Sequence, residues 1–424
     1  MSEPRVILHS DANSYYASVE CLYTPALRGK AIAVCGSADD RHGIVLAKSE
    51  AAKICGVKTG MAIWQAKQAC PQLECVTPDY DLYMHFSRKL RSIYEQYTHQ
   101  VEPFGLDECW LDITLPGMNI QDGEQKAQEI RQRIKDELGI TVSVGVSSNK
   151  VFAKLGSDYR KPDAVTVIGE ANFKQIVWPL PVSDLIYVGS RTASKLMNFG
   201  IYTIGDLAHA DSGVLEYKLG KNGIMLKAFA LGLDRSPVKA LDADEIIKSV
   251  GNSTTPPHDI STMEDAKAIL YLLVESVGER LRALGFKAKQ VSISARGTDL
   301  LSRSCQKTLD AATDSTARIA REAKSLFEAR FIQNLPLRSM GVSCGRLVPF
   351  DTPVQMDMLG QADKRLREER LDRALDSLRY RYGHTVIRRG IVLADRDFAR
   401  VDPAGQVIHP VAFLQEGSVK YDSP

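Results

Sequence analysis

The sequence predicts an α+β protein of several domains, the first of them built on a split βαβ, ferredoxin-like sheet. Three observations carry that expectation. The chain has 424 residues, more than one average core holds, so roughly two to four domains are expected. Its first part runs strand, helix, acidic strand, helix, strand, the order of a split βαβ sheet. After Pro162 the pattern changes to short helices around glycine turns, and a second α/β unit follows from Glu245 to Val348.

Taken in order, residues 5–10, RVILHS, read as a buried strand ending at Asp11, and helical spacing runs from Asn13 to about Cys21. AIAVCG (31–36) and GIVLA (43–47) are short apolar runs bounded by turn residues and predict a small sheet. A short helix from Ser49 stops at Gly56. Residues 79–97 form a long amphipathic helix with Leu82, Phe86, Leu90 and Ile93 on its apolar face. An acidic strand follows over roughly 108–114, then a helix over 123–139 and the strand ITVSVGVSS. Residues 183–208 predict two short helices. In the second α/β unit the strands are KSVGNSTT, QVSISAR and SMGVSCGRL, and long helices begin near Met263 and Ala311. A proline-containing linker leads to a charged helix, ADKRLREERLDRALDSLRYRYG, and a polar tail.

A net charge of +2 means that any nucleic-acid surface must come from local clusters of Lys and Arg. Among the chain's segments none approaches a membrane span, and the N-terminus lacks the basic and apolar regions of a signal peptide. The eight cysteines form no C-x-x-C pair and no zinc spacing. A reducing cytoplasm is the expected location.

The acidic strand raises the chemical question. PFGLDECWLD (103–112) sets Asp107 and Glu108 side by side, and consecutive strand residues face opposite ways. In a split βαβ sheet the strand ending at Asp11 neighbours this one, so the three carboxylates converge at one edge. Such a cluster raises its members' pKa values unless a cation joins it. Mg²⁺ takes carboxylate oxygens together with substrate phosphates, and two ions about 4 Å apart clamp a phosphoryl transfer. The alternative makes Asp107 a strand-end acid and pairs Glu108 with a surface lysine, leaving Asp11 to be explained separately. Asp112 sits inside the strand and is a weaker candidate.

The stretches LHSDANSYYASVE, GVKTGM, PFGLDECWLDIT, VSVGVSSNKVFAKLGSDYRKP and TASKLMNFGIYTIGDLA, in this order, resemble the Y-family, or translesion, DNA polymerases, in their bacterial branch. The match covers the first half well and loosens from 245 onward. The resemblance implies a right-hand polymerase with a ferredoxin-like palm, small fingers, a helical helix-hairpin-helix thumb and an α/β little finger. It implies a palm at 1–14 and 80–168, fingers at 15–79, a thumb at 169–236, a linker at 237–244, a little finger at 245–349 and a tail at 350–424.

The same resemblance implies a low-fidelity, template-directed DNA polymerase that copies damaged DNA from dNTPs with two Mg²⁺, or Mn²⁺ in substitution. Asp11, Asp107 and Glu108 become the catalytic metal ligands, joined by the carbonyl of Ala12. Tyr15 and Tyr16 lie at the nucleotide, Tyr16 as the gate against a 2′-hydroxyl. Lys53 and Lys161 match lysines that meet the triphosphate; for Lys53 a solvated helix face is the alternative. Four positions depart from the family pattern: Gly105, Trp110, Glu50 and Tyr187. For DNA the expected contacts are Gly189 and Thr192 in the hairpin, and Lys248, Arg296, Arg303 and Lys307 on or near strands. QMDML, with Gln355, Met358 and Leu359, resembles peptides that bind a sliding clamp. The isolated chain is expected to be a monomer. Two rivals stay open: a nucleotidyl cyclase on the same palm, and a catalytically silent DNA-binding scaffold.

Overall fold

The computed structural model describes residues 5–36, 43–240, 247–352, 361–394 and 397–398, without the side chains of 361–366 and 394. Apart from Gly43, the described residues form two compact units in order along the chain, one of residues 5–36 and 44–240 and one within 247–398.

The first unit is built on a five-stranded sheet. Its strands are β1 (Ile7–Ala12), β5 (Val101–Pro103), β6 (Glu108–Asp112), β7 (Val142–Ser147) and β8 (Val165–Ile168), in the order β5-β6-β1-β7-β8. β1 pairs antiparallel with both β6 and β7, so the expected neighbours are neighbours. A smaller sheet holds β2 (Ile32–Cys35), β3 (Val45–Lys48) and β4 (Glu74–Val76), in the order β3-β2-β4.

Its early helices are α1 (Tyr15–Tyr23), α2 (Glu50–Ile54), α3 (Ile63–Ala69) and α4 (Tyr80–Tyr94). The Asp79 side chain accepts the Leu82 N–H and fixes the start of α4, which buries Tyr83, Phe86, Leu90 and Ile93 against the main sheet. Each such side chain contributes about 1.5–3 kcal/mol by leaving water. Next come α5 (Ile120–Leu138) and α6 (Lys150–Tyr159). α5 starts three residues before the expected Gly123, because Asn119 and Asp122 cap its first turn reciprocally.

One glycine decides where α6 lies. A Cβ at Gly145 of β7 would meet the Ala153 carbonyl oxygen at 1.8 Å. Only hydrogen at that position lets the helix rest directly on β7, which brings the side chains of α6 to the end of β1 and β6. Five further helices complete the unit: α7 (Phe173–Ile176), α8 (Ser190–Met197), α9 (Ile204–His209), α10 (Ser212–Leu219) and α11 (Lys221–Ala230). They share one apolar cluster that includes Val182, Leu196, Ile204, Leu207 and Leu226.

The second unit is an antiparallel sheet of β9 (Ser249–Thr254), β10 (Phe286–Gly297), β11 (Ser302–Thr313) and β12 (Leu337–Pro349), in the order β11-β10-β12-β9. Helices α12 (Met263–Ala283) and α13 (Thr316–Arg330) cover one face and bury Val250, Val291, Ile293, Val342 and Phe327. Here one expectation fails. Ala311, read as near a helix start, lies inside β11, and α13 begins only after Ser315 caps it. β11 is an edge strand whose residues are mostly exposed, so it lacks the apolar alternation that reveals a half-buried strand.

The charged helix α14 (Gln361–Tyr382) packs on this unit through ion pairs. Arg282 of α12 binds Asp376 at 2.5 and 2.8 Å, and Arg379 and Arg389 bind Glu275 at 2.7 and 2.8 Å. Val392 and Phe398 enter the apolar core. Gln355, Met358 and Leu359 lie outside the described residues. Among the described residues no helix is long and apolar enough to cross a membrane, and all eight cysteines are free thiols.

Candidate active site

The antiparallel register of β1 and β6 sets Asp11 opposite Glu108. Residues directly opposite in such a pair send their side chains to the same face. Asp107 lies one residue before β6, and its carbonyl accepts the Ala12 N–H at 3.1 Å. The backbone therefore brings Asp11, Ala12, Asp107 and Glu108 to one corner of the sheet. Asp112 lies at the other end of β6, opposite Ile7, where it accepts hydrogen bonds from Thr114.

The three carboxyl groups are electrostatically unequal. Burial raises Asp107 to about 7, with Asp11 and Glu108 adding repulsion. Burial also raises Asp11 to about 6, against the pull of Lys161. For Glu108 burial acts upward too, but the His9 ring and the Lys154 ammonium outweigh it and hold the group at about 2. Lys161 binds Asp11 Oδ2 at 2.7 Å and Asp158 at 2.8 Å, while Lys154 pairs with Glu108 Oε2. The pairing of Glu108 with a lysine, raised as the plainer reading of that acid, is thus present, but inside the acidic corner and on α6.

As placed, the carboxylates do not form a finished ion cage: among the described residues, no three His, Cys, Asp or Glu side chains surround one point at ligand distance. The chemistry of the donor set still fits a divalent cation. It offers hard oxygen donors on rigid strands, and two acids whose charge their surroundings leave incompletely balanced.

The tyrosines flank this corner. Tyr15 is buried and donates its hydroxyl to the Tyr83 carbonyl at 2.5 Å. Tyr16 is half-buried, and its ring stacks on Tyr83 with centroids 4.2 Å apart and planes 9° apart. Burial and then the charge of Asp107 raise the Tyr16 phenol, so that hydroxyl lies within the field of the acids. Lys53 extends from α2 beside Glu50 at 3.5 Å, and Glu50 also accepts from Ser14 Oγ at 3.2 Å. Glu50 therefore connects the turn after β1 with α2.

Sequence reasoning missed His9 and Lys154. Only His9 carried a readable signal: it stands two residues before Asp11 on one strand and so shares its face. Lys154 carried none, because its approach to Glu108 depends on how closely α6 rests on Gly145. Gly105 adopts φ 153°, in the half of backbone space that favours glycine.

A family model described as the impB/mucB/samB family matches residues 10–158, and that of its C-terminal domain matches 247–358. The DNA polymerase IV of Acetivibrio thermocellus is 51% identical over 94% of this chain and 100% of its own length. DNA polymerase IV 1 of Bacillus subtilis is 38% identical over 92% of this chain and 93% of its own. The chain belongs to this family, the Y-family DNA polymerases. Its fold agrees: a chimera of the Y-family polymerases Dbh and Dpo4 superposes with a TM-score of 0.72 at 24% identity, over 81% of this chain and 99% of the chimera.

In this Y-family chain the expected DNA contacts are distributed as follows. Gly189 is the N-cap of α8, and Thr192 stands half-buried in its first turn. Tyr187, just before them, is held at φ 68° with its ring exposed, although a bulky residue is disfavoured there. In the second unit the four basic residues do not share a face. Arg303 and Lys307 oppose Ala295 and Val291, on the helix side of the sheet, and Lys307 binds Glu322 of α13 at 2.7 Å. Arg296 points to the other, open face among Ser292, Ser294 and Ser339. Lys248 precedes β9 and is exposed. The strand period of two separates residues that a count of charges groups together.

Proposed function

We propose that the chain synthesises DNA across damaged template, adding dNTPs to a primer 3′-hydroxyl with release of pyrophosphate, and that Asp11, Asp107 and Glu108 are its catalytic carboxylates. It is a DNA-directed DNA polymerase of the translesion class. The observation that carries the site is the β1–β6 register, which sets Asp11 opposite Glu108 with Asp107 next to them.

Divalent cations, two Mg²⁺ or Mn²⁺ in their place, would be held by Asp11, Asp107, Glu108 and the Ala12 carbonyl. Bound there, they supply neutralisation of the phosphate charge and a lowered pKa for the attacking hydroxyl. The chain's own groups do the rest. Lys161, next to Asp11, faces the triphosphate and follows the charge to the leaving pyrophosphate; Lys53 adds a second ammonium from α2. Tyr16, with Tyr15 behind it and fixed by its stack on Tyr83, bounds the sugar and rejects a 2′-hydroxyl. Gly189 and Thr192 meet backbone phosphates, and Lys248, Arg296, Arg303 and Lys307 add salt-sensitive contacts, Arg296 from the open face of its sheet. In this reading residues 1–14 and 80–168 are the palm, 15–79 the fingers, 169–236 the thumb, 237–244 the linker, 245–349 the little finger and 350–424 the tail. A sliding clamp is the proposed partner of Gln355, Met358 and Leu359. The protein works as a cytoplasmic monomer on primer–template DNA.

Primer extension with Mg²⁺, comparing the parent chain with Asp107→Ala, tests this. The reading expects extension by the parent and none by the variant. Cyclic nucleotide formed without primer would point to a cyclase. Gel-shifted DNA without extension by the parent would point to a scaffold.

A further inference from the structure

α6 brings to the acidic corner a lysine, Lys154, for which the reaction scheme has no role. The Lys154 ammonium pairs with Glu108 Oε2 and also stands 5.1 Å from the centroid of the Phe104 ring. Its side chain is only 17% exposed. The same carboxylate oxygen lies 3.3 Å from Nε2 of His9, a fully buried ring. His9 Nδ1 is 2.8 Å from Ser157 Oγ, and that hydroxyl donates to the Lys154 carbonyl at 2.8 Å. β1 and α6 thus surround one oxygen of Glu108, and the ammonium paired with that oxygen is Lys154's.

An ammonium and a divalent cation on one carboxylate oxygen repel each other at contact distance, in a partly desolvated corner where water screens them poorly. Both cannot hold Oε2. The ring of Phe104, 42% exposed, offers the displaced ammonium a nearby resting place, since cations are attracted to aromatic faces.

We propose that Lys154 is a positioning residue for Glu108: it holds the carboxylate against α6 and competes with divalent cations for Oε2, so that ion entry displaces it toward the Phe104 ring. The inference rests on the reading of Glu108 as a metal ligand.

The test is Mn²⁺ binding to the full chain without DNA or nucleotide, together with thermal melting in EDTA and in saturating Mn²⁺. Lys154→Met removes the competitor, and Lys154→Gln serves if Met disturbs folding. Either variant binds Mn²⁺ roughly five- to tenfold more tightly than the parent, the scale of one partly buried charge pair. It also melts below the parent in EDTA, and the gap closes in saturating Mn²⁺. Lys154→Arg keeps the charge and stays near the parent affinity. Unchanged or weaker Mn²⁺ binding by both neutral variants overturns the proposal and makes Lys154 a structural support. Glu108→Gln separates the two levels of failure: if Mn²⁺ binds that variant as it binds the parent, the metal-ligand reading itself is wrong.

Discussion

Both units bury carboxylates next to cations, and they do it to opposite ends. In the second unit two acids at the α12–α14 contact are matched by arginines: Asp376 receives two hydrogen bonds from Arg282, and Glu275 of α12 receives Arg379 and Arg389. In the acidic corner of the first unit Lys161 pairs with Asp11 and Lys154 with Glu108, and among the described residues no lysine forms an ion pair with Asp107, the most strongly raised of the three. Arginine's planar fork suits a permanent pair, whereas a lysine ammonium is a mobile point charge. A matched set fastens one helix to another. An unmatched set stores repulsion that an incoming cation relieves, which is what a polymerase corner requires.

The largest expected effect breaks the unmatched set. Asp107→Asn lowers primer extension by on the order of a thousandfold or more, about 4 kcal/mol of transition-state stabilisation, in single-turnover assays. The same variant melts higher than the parent in EDTA, because it removes the carboxyl that the others repel. A lower melting temperature would mean that Asp107 is structurally needed there. Next, Arg282→Ala breaks the matched set. It leaves Asp372 and Asp376 uncompensated and destabilises the second unit by about 3 kcal/mol in urea unfolding, with little change in activity per folded molecule at low urea.

Tyr16→Ala sharpens the comparison at the nucleotide side. It raises ribonucleotide incorporation relative to deoxyribonucleotide by about a hundredfold, read as the ratio of the two kcat/KM values. The pH dependence follows from the raised acids. Asp11 and Asp107 titrate at about 6 and about 7, above their usual carboxylate range. Their charge therefore opposes folding increasingly as pH rises toward those values and is relieved as pH falls through them. In EDTA the protein melts higher at pH 5.5 than at pH 8. Protons and cations want the same oxygens, so Mn²⁺ affinity runs the other way and rises over that interval. The smallest effect is Tyr187→Gly, which relieves the φ 68° conformation and raises stability by about 1 kcal/mol in thermal melts.

The comparison also marks what the sequence makes legible. The acidic corner was readable because two apolar strands ending in acids leave few topologies, and strand order did the rest. The matched set was not readable: Arg282 and Asp376 are far apart in the chain, and α14 reads only as a charged helix because its docking face is polar. β11 escaped for a related reason, since an exposed edge strand lacks apolar alternation. That Arg296 lies on the face opposite Arg303 and Lys307 is a matter of strand parity, which a count of charges does not show. Lys154 needed the Gly145–Ala153 approach, which only coordinates reveal.

The most direct measurement is a crystal structure of the full chain with primer–template DNA, Mg²⁺ and a non-hydrolysable dNTP. The account predicts two ions bound by Asp11, Asp107 and Glu108 against the triphosphate, with Lys161 on the phosphates and Lys154 withdrawn from Glu108. Ions and nucleotide bound away from these carboxylates, or Lys154 still seated on a metal-bound Glu108 oxygen, would contradict it.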